Sequence, residues 1–160
     1  MAVNTAKVTG RRTLRFNSIA EAIADAESVV STPCHPVGNW TTGQVLDHLA
    51  RTVRVMFEGP HIPAPWFVRT VIAPFMKRNF ISGTISPGFQ FTPQMAAFRP
   101  DENAEPKSAL DEFRKQFSRL QREAPTAPNP FLGELTHQEW IGTNLRHCEL
   151  HLSFLISDGG

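Results

Sequence analysis

Apolar residues recur at intervals of three and four along four segments of the chain, which is the period of one face of an α-helix. Three segments open with a capping-box pair, a Ser or Thr followed three residues later by Glu or Gln. The other opens with a proline, which suits a first helical turn. The predicted helices run from Ser18 to about Ser31, from Thr41 to Gly59, from about Glu105 to Glu123, and from Thr136 to about Ile156.

The region between the second and third predicted helices, residues 60–104, has no such regular pattern. Its first part is apolar and compatible with a helix, but Pro74 should kink or restart one there. Residues 82–103 are rich in Gly, Pro, Ser and Thr and predict a long loop of the kind that often covers a functional site. The strand signal is limited to Val8–Phe16, an extended piece with no obvious partner. The pattern predicts an all-α fold, a four-helix bundle with an irregular insertion between the second and third main helices.

Composition and charge narrow the class of protein. A chain of 160 residues fits one domain with one core, spanning residues 1–160. The formal charge of +1 argues against a nucleic-acid-binding surface, although Arg11, Arg12 and Arg15 form a local basic patch that could contact an acidic partner. No stretch is long and apolar enough for stable membrane insertion. The polar N-terminus and the two cysteines favour a cytoplasmic location.

Two histidines, His147 and His151, lie four residues apart in the fourth predicted helix. Residues at this spacing project from one helical face, about 6 Å apart along the axis, so both rings can hold one ion. A catalytic zinc site usually has three protein ligands and one open position. His48 is the candidate third ligand because it lies between Val45 and Leu49 on the apolar stripe of the second predicted helix. Burying three imidazoles together is favourable if they share a cation.

Other interpretations of the pair stay open at this stage. Two histidines at this spacing are also found as ordinary core residues. The protease motif HExxH needs its glutamate directly after the first histidine, but Cys148 occupies that position and is expected to pack in the core. Glu149 follows one residue late, which turns its side chain by about 100° from the required direction. The remaining histidines, His35, His61 and His137, are expected to be exposed in loops or at a helix start.

Four stretches carry a family resemblance: VTGRRTLRFNS near the start, NWTTGQVLDHLA in the second helix, the FRP region, and LTHQEWIGTNLRHCELHLSFL at the end. They resemble the DinB-like (YfiT-like) superfamily of metal-binding four-helix bundles, and within it the DUF1569 branch. The resemblance implies a metal triad made by a histidine of the second helix and a late HxxxH pair. On this sequence the triad is His48, His147 and His151.

The resemblance also implies a divalent ion, zinc or nickel, and a small-molecule substrate. Several members of the superfamily are, or resemble, thiol-dependent transferases and isomerases that use bacillithiol, mycothiol or glutathione. An open metal position suits this chemistry because a coordinated thiol is held as its thiolate. The expected activity is therefore a metal-dependent thiol S-transferase or isomerase with a low-molecular-weight thiol as co-substrate and a small electrophilic molecule as substrate.

Two polar residues could support the site. Gln44 and Asn144 lie one turn before His48 and His147, and each could hydrogen-bond to a ring nitrogen or to a ligand at the open position. The competing interpretation is that both are ordinary, partly exposed polar residues.

A different class of function is also open, a non-catalytic bundle protein with a structural or empty metal site that acts in binding or oligomerisation. The apolar part of the insertion bears on it. This segment could pack against the bundle, form a homodimer interface, or contact a membrane surface. Its aromatic and basic residues are Trp66, Phe67, Phe75, Phe80, Arg69, Lys77 and Arg78.

Overall fold

The computed structural model describes residues 2–61, 66–67, 70–71 and 73–158, and this part of the chain is mostly helical. The fold is therefore all-α in its main content, as predicted. The helices are α1 Ile19–Ser31, α2 Thr42–Glu58, α3 Ala73–Ser82, α4 Pro106–Arg122 and α5 His137–Leu152, with 3-10 turns at Thr5–Lys7 and Pro93–Phe98. Two short strands, β1 Cys34–Pro36 and β2 Leu155–Ser157, pair antiparallel.

Side-chain caps fix where three of the predicted helices begin. Thr41 and Thr136 form complete capping boxes at the starts of α2 and α5. At α1 the Ser18 hydroxyl accepts a hydrogen bond from the amide of Glu21, but the Glu21 carboxylate bonds to the amide of Asn17 (2.7 Å) and not to that of Ser18. These bonds satisfy amides that have no partner inside a helix, so the starting residues are determined locally.

The apolar faces of α1, α2, α4 and α5 meet in one hydrophobic core. The most extensive helix contact is between α2 and α4, while α1 packs on both α4 and α5, and α3 packs on α5. Gly43 permits the close approach of α2 to the start of α4, because a Cβ there would lie 1.9 Å from the backbone oxygen of Ala104. The largest fully buried side chains include Trp140, Phe113, Phe117, Leu46 and Leu49.

Helix α5 ends at Leu152, so the prediction that it continues to about Ile156 is wrong. The amide of Phe154 bonds to the backbone oxygen of His151 (3.2 Å), which tightens the last turn. The chain then leaves the helix, and β2 pairs with β1 with Cys34 opposite Ser157. Pairing between segments so distant in sequence has no local signature, which explains why the sequence did not indicate it.

The arginines of the basic N-terminal patch form hydrogen bonds and an ion pair with other parts of the chain. Arg11 donates to the Ser153 hydroxyl (2.7 Å), and Arg12 donates to the Leu152 backbone oxygen (2.9 Å) and forms a bidentate pair with Asp25. Arg15 donates to the backbone oxygens of Ser82 and Gly83 at the end of α3. The last carbonyls of a helix lack partners within it and attract cations. These three guanidinium groups therefore fasten helix ends, and Val8–Phe16 is not a strand.

The insertion between α2 and α4 contains helix α3 and the long, mostly irregular segment that follows it. Helix α3 begins at Ala73, so Pro74 occupies its first turn, consistent with the predicted restart. Three aromatic residues of the insertion are exposed: Trp66 by 74%, Phe67 by 48% and Phe75 by 82%. The interpretation that the segment packs against the bundle is therefore wrong for these three. Arg69 lies outside the described residues. Within the described residues, no helix combines the length and apolar character needed to span a bilayer.

Candidate metal centre

His48 reaches the site from the middle of α2, on the same buried stripe as Val45 and Leu49. Only 4% of the residue is exposed. Its Nδ1 atom lies 2.6 Å from the backbone oxygen of Phe98. A carbonyl oxygen can only accept, so Nδ1 carries the proton and Nε2 carries the lone pair. The fold thus makes Nε2 the ligand atom of His48, and this atom lies within hydrogen-bond distance of Nε2 of His147 (3.1 Å).

His147 and His151 enter from α5, one helical turn apart. Their ring centres lie 4.6 Å from each other, and 5.0 and 4.6 Å from the centre of the His48 ring. One ligand nitrogen from each of the three residues lies within 4.8 Å of the other two. Among the described residues, this is the only group of three or more His, Cys, Asp and Glu side chains placed in this way. We call His48, His147 and His151 the triad.

The spacing of the triad suits a shared metal ion. With metal–nitrogen bonds of about 2.0–2.1 Å, two bound nitrogens lie about 2.9 Å apart at a right angle and about 3.4 Å apart at a tetrahedral angle. The Nε2 atoms of His48 and His147 are 3.1 Å apart, inside this range. The ligand nitrogen of His151 lies within 4.8 Å of the other two. Three imidazoles can hold a zinc, nickel, copper or iron ion.

Burial keeps the triad neutral. Desolvation lowers the pKa of His48 to about 4, and the hydrogen bond to Phe98 and the charge of Asp47 oppose this only in part. Desolvation also lowers the pKa of His147 and His151 well below the usual value, and repulsion between neighbouring rings adds to it. Neutral imidazole is the form that binds metals, so all three rings are ready as ligands at neutral pH.

The lowered pKa values predict an acid-sensitive fold in the metal-free protein. Between the ordinary pKa of about 6.5 and the native value of about 4 for His48, the unfolded chain binds more protons than the folded one, so stability falls as pH falls. For His48 alone, the free energy of unfolding should drop by about 2 kcal/mol from pH 7 to pH 5. Urea unfolding of chelator-treated protein at the two pH values measures it. A His48→Phe variant should show a smaller drop, and an equal drop would contradict the assignment.

Aromatic side chains that the sequence did not indicate surround the triad. Trp40 stacks on His151, with ring centres 5.3 Å apart and planes at 20°, and its centre is 4.8 Å from that of His48. Phe91 meets His48 edge to face at 5.7 Å. Neither belongs to a periodic helical stripe, and Phe98 contributes through its backbone oxygen, which any residue carries. These rings pack against the imidazoles and restrict their orientations.

A cavity of about 1210 Å³ opens beside the triad. The predicted cover loop supplies one wall through Ile85–Phe91, and the N-terminal residues Ala2–Ala6 supply another. Near the triad the cavity is lined by Trp40, His48, Thr143, Asn144, His147 and His151. All three triad residues therefore border a space large enough for small molecules.

Neither predicted supporting residue bonds to a triad ring in this structure. The Gln44 side-chain oxygen accepts from the amide of Thr41 (3.0 Å) as part of the α2 capping box. The Asn144 amide donates to the backbone oxygen of Trp140 (2.9 Å). Both residues line the cavity, so a contact with a bound molecule stays a prediction. The partner that does orient His48 is the backbone of Phe98.

Glu149 points away from the triad, as expected from its position one residue late. Its carboxylate accepts from the amide of Phe16 (2.6 Å) and pairs with Arg146 (2.7 Å). It therefore does not lie where the general base of an HExxH protease would lie. Cys148 is fully buried, and burial raises the pKa of its thiol well above the usual value. The expected packing role of Cys148 is confirmed.

The other three histidines stay outside the triad. His61 is exposed, and His35 is exposed and bonded to Asp158. His137 is half-buried, and its Nε2 lies 2.6 Å from the backbone oxygen of Leu120, so the expectation of solvent exposure is wrong for this residue.

Comparison with known families identifies the family of the chain. The family described as "Protein of unknown function (DUF1569)" matches residues 8–158, a range that includes the triad, the loop and helices α1 to α5. The chain belongs to the DUF1569 family. No curated protein and no solved structure gives a significant match. The chemistry of this DUF1569 protein must therefore be argued from its own residues.

Proposed function

We propose that this DUF1569 protein is a DinB-like four-helix-bundle protein that binds one divalent ion, zinc or nickel, through His48, His147 and His151. We further propose that it is a thiol S-transferase or isomerase acting on a small electrophilic molecule. The observation that carries the proposal is the meeting of three neutral imidazoles on the wall of a large cavity.

The helix packing supports the bundle part of the proposal. Helices α1, α2, α4 and α5 supply most of the core, while α3 and the loop after it lie between α2 and α4 in sequence. The triad comes from α2 and α5, two of the four core helices. Ligand sites inside helix bundles are commonly built in this way, from side chains on facing helices.

The ligand count favours catalysis over bracing. Structural zinc sites usually have four protein ligands, whereas catalytic sites have three and leave one position open. No fourth His, Cys, Asp or Glu joins the triad among the described residues. When bound, the ion would stabilise a thiolate at a position open to the cavity.

The chain's own residues perform the remaining tasks. Phe98 holds His48 in the tautomer that offers Nε2, and Trp40 and Phe91 limit the access of water. In the transfer, the thiol gives its proton to solvent water, sulfur uses a lone pair to form a bond to the electrophilic carbon, and the leaving group departs with the electron pair of the broken bond. Desolvation inside the cavity increases the reactivity of the sulfur anion.

The test of an open, thiol-binding position uses cobalt as a spectroscopic substitute. The cobalt-loaded protein should gain a sulfur-to-cobalt charge-transfer band when mercaptoethanol is added. Ethylene glycol, which carries a hydroxyl in place of the thiol, should give no such band. The absorption spectrum of the protein, recorded before and after each addition, measures the response.

Two results would contradict this proposal. A cobalt spectrum unchanged by millimolar mercaptoethanol would mean that the position is closed to thiols. The same band in a His147→Ala variant would mean that the thiol binds cobalt away from the triad.

The second candidate function is a non-catalytic role in oligomerisation, with a metal that only braces α2 against α5. The exposure of Trp66, Phe67 and Phe75 favours it, because large exposed apolar groups often mark contact surfaces. Size-exclusion chromatography with light scattering tests it. A homodimer that becomes monomeric in a Trp66→Ala/Phe75→Ala variant would support this candidate, and a monomeric wild type would contradict it.

A further inference from the structure

Several polar side chains on the cavity wall are bonded within the chain. Asn39 bonds through both ends of its amide to the backbone of Val3, at 2.7 and 2.9 Å. Asn129 accepts from the amide of Phe131 at 2.9 Å. The remaining wall is largely apolar and includes Trp40, Phe80, Ile85, Phe89, Phe91 and Phe131. A ligand of this cavity must therefore be mainly apolar.

Arg99 differs from the other polar groups of the cavity wall in its positive charge. It is the only Lys or Arg that lines the cavity in the described part of the chain. It forms no ion pair there, even with Glu102, which is the one carboxylate on the same wall. Its guanidinium lies 5.6 Å from the centre of the Phe91 ring. Arg99 is exposed, its guanidinium makes no hydrogen bond to another described residue, and the Phe91 face supports the group from one side.

The backbone around Arg99 is fixed to α2 on both sides. The neighbouring residue, Phe98, bonds to His48 through its backbone oxygen (2.6 Å). On the other side, the amide of Asp101 donates to the Asp47 carboxylate (2.7 Å), which also accepts from Arg51 (2.7 Å). A charged group held on an anchored backbone loses less conformational entropy when it binds a ligand.

Arg99 also lies within reach of the triad. The Phe91 ring, which contacts the guanidinium at 5.6 Å, contacts the His48 ring at 5.7 Å. The two steps limit the separation between the guanidinium and the His48 ring centre to about 11 Å, a distance that a small two-ring molecule spans. One ligand can therefore contact Arg99 with one end and approach the triad with the other.

We propose that Arg99 binds the anionic group of an otherwise apolar, ring-containing acid, whose other end extends towards the triad. The planar guanidinium is matched to carboxylate, sulfonate and phosphate groups because it offers two parallel N–H donors. As a statement about the substrate of the metal reaction, this rests on the proposed function. As a statement about what the cavity binds, it stands on Arg99 and the apolar walls alone.

The test compares two fluorescent probes with the same aromatic frame in chelator-treated protein. Anilinonaphthalene sulfonate carries an anion, and phenylnaphthylamine does not. The wild type should bind the sulfonate more tightly. Arg99→Gln should weaken sulfonate binding about tenfold, as expected for the loss of a charge-assisted contact, and leave the neutral probe unaffected. Fluorescence titration gives both dissociation constants.

Two control variants show whether the change in sulfonate binding is specific to the cavity wall at Arg99. Arg122→Gln removes an exposed arginine that does not line the cavity, and it should leave both dissociation constants unchanged. Trp66→Ala removes an exposed aromatic group outside the cavity and should also leave them unchanged. Equal sulfonate binding by the wild type and Arg99→Gln would overturn the proposal, and so would loss of sulfonate binding in Trp66→Ala.

The metal content distinguishes a failure of the anion site from a failure of the proposed metal function. Metal content is measured on the wild type and Arg99→Gln without chelator and should be equal in both. Charge preference that depends on Arg99, together with no metal in the wild type before chelator treatment, would support the anion site and contradict the metal function. Full metal content with no charge preference in the chelator-treated protein would overturn the anion site alone.

Discussion

Replacing His147 with alanine is expected to remove the bound divalent ion. The two remaining imidazoles, His48 and His151, would hold a metal poorly, because stable protein sites for zinc have at least three protein ligands. We expect about one zinc or nickel ion per wild-type chain and less than about 0.1 per chain in the variant after dialysis against metal-free buffer. Elemental analysis by mass spectrometry, normalised to protein concentration, gives the stoichiometry.

A matched histidine provides the control for this experiment. His61 is exposed and lies outside the triad, so His61→Ala should keep the full metal content. Circular dichroism of both variants establishes that the helices are retained. Wild-type metal content in a folded His147→Ala protein would exclude the triad as the metal site.

The second large effect is expected at the buried ion pair of Arg146 and Glu149. Their side chains are only 5% and 9% exposed, and both bond to the backbone of Phe16. Removing one partner leaves the other charge buried without compensation. Glu149→Leu should therefore lower the free energy of unfolding by about 3–5 kcal/mol. Urea unfolding of the two chelator-treated proteins at pH 7 measures the difference.

A double variant isolates the unpaired charge as the cause. Arg146→Met/Glu149→Leu should be less destabilised than Glu149→Leu, because no charge is left in the core. If the double variant loses as much free energy of unfolding as Glu149→Leu and Arg146→Met lose together, the pair is not coupled.

Glu149 also provides a test that distinguishes the triad from a protease-like metal centre. Glu149→Gln keeps the shape of the side chain but removes its charge, so it should destabilise the fold and leave the metal content of the folded protein unchanged. Loss of metal from a folded Glu149→Gln protein would place Glu149 in the metal centre and contradict the geometry described above.

Local chemistry made the helices predictable. The capping residues Thr41 and Thr136 satisfy amides within three residues of themselves, so their role can be read without knowledge of the rest of the fold. The triad was predictable for a related reason. His147 and His151 share a face through helical geometry alone, and the apolar neighbours of His48 direct it inward.

Contacts between distant segments were not predictable in this way. The bond between His48 and Phe98 joins positions 50 residues apart, and the Phe98 partner is a backbone oxygen. The early end of α5 depends on pairing with Cys34–Pro36 and on capping by Arg12, which also lie far away in the sequence. Trp40 and Phe91 have no helical period. The position of Phe91 depends on how the loop of residues 82–103 folds, and that of Trp40 depends on the segment between β1 and α2.

The most direct test of the central claim is a crystal structure of the protein grown with zinc, with anomalous diffraction recorded at the zinc edge. The account predicts one anomalous peak at about 2.0–2.1 Å from Nε2 of His48 and from one nitrogen each of His147 and His151. It also predicts at least one remaining ligand position that faces the cavity. A zinc-loaded crystal with no peak at the triad, or with a peak held by other side chains, would contradict it.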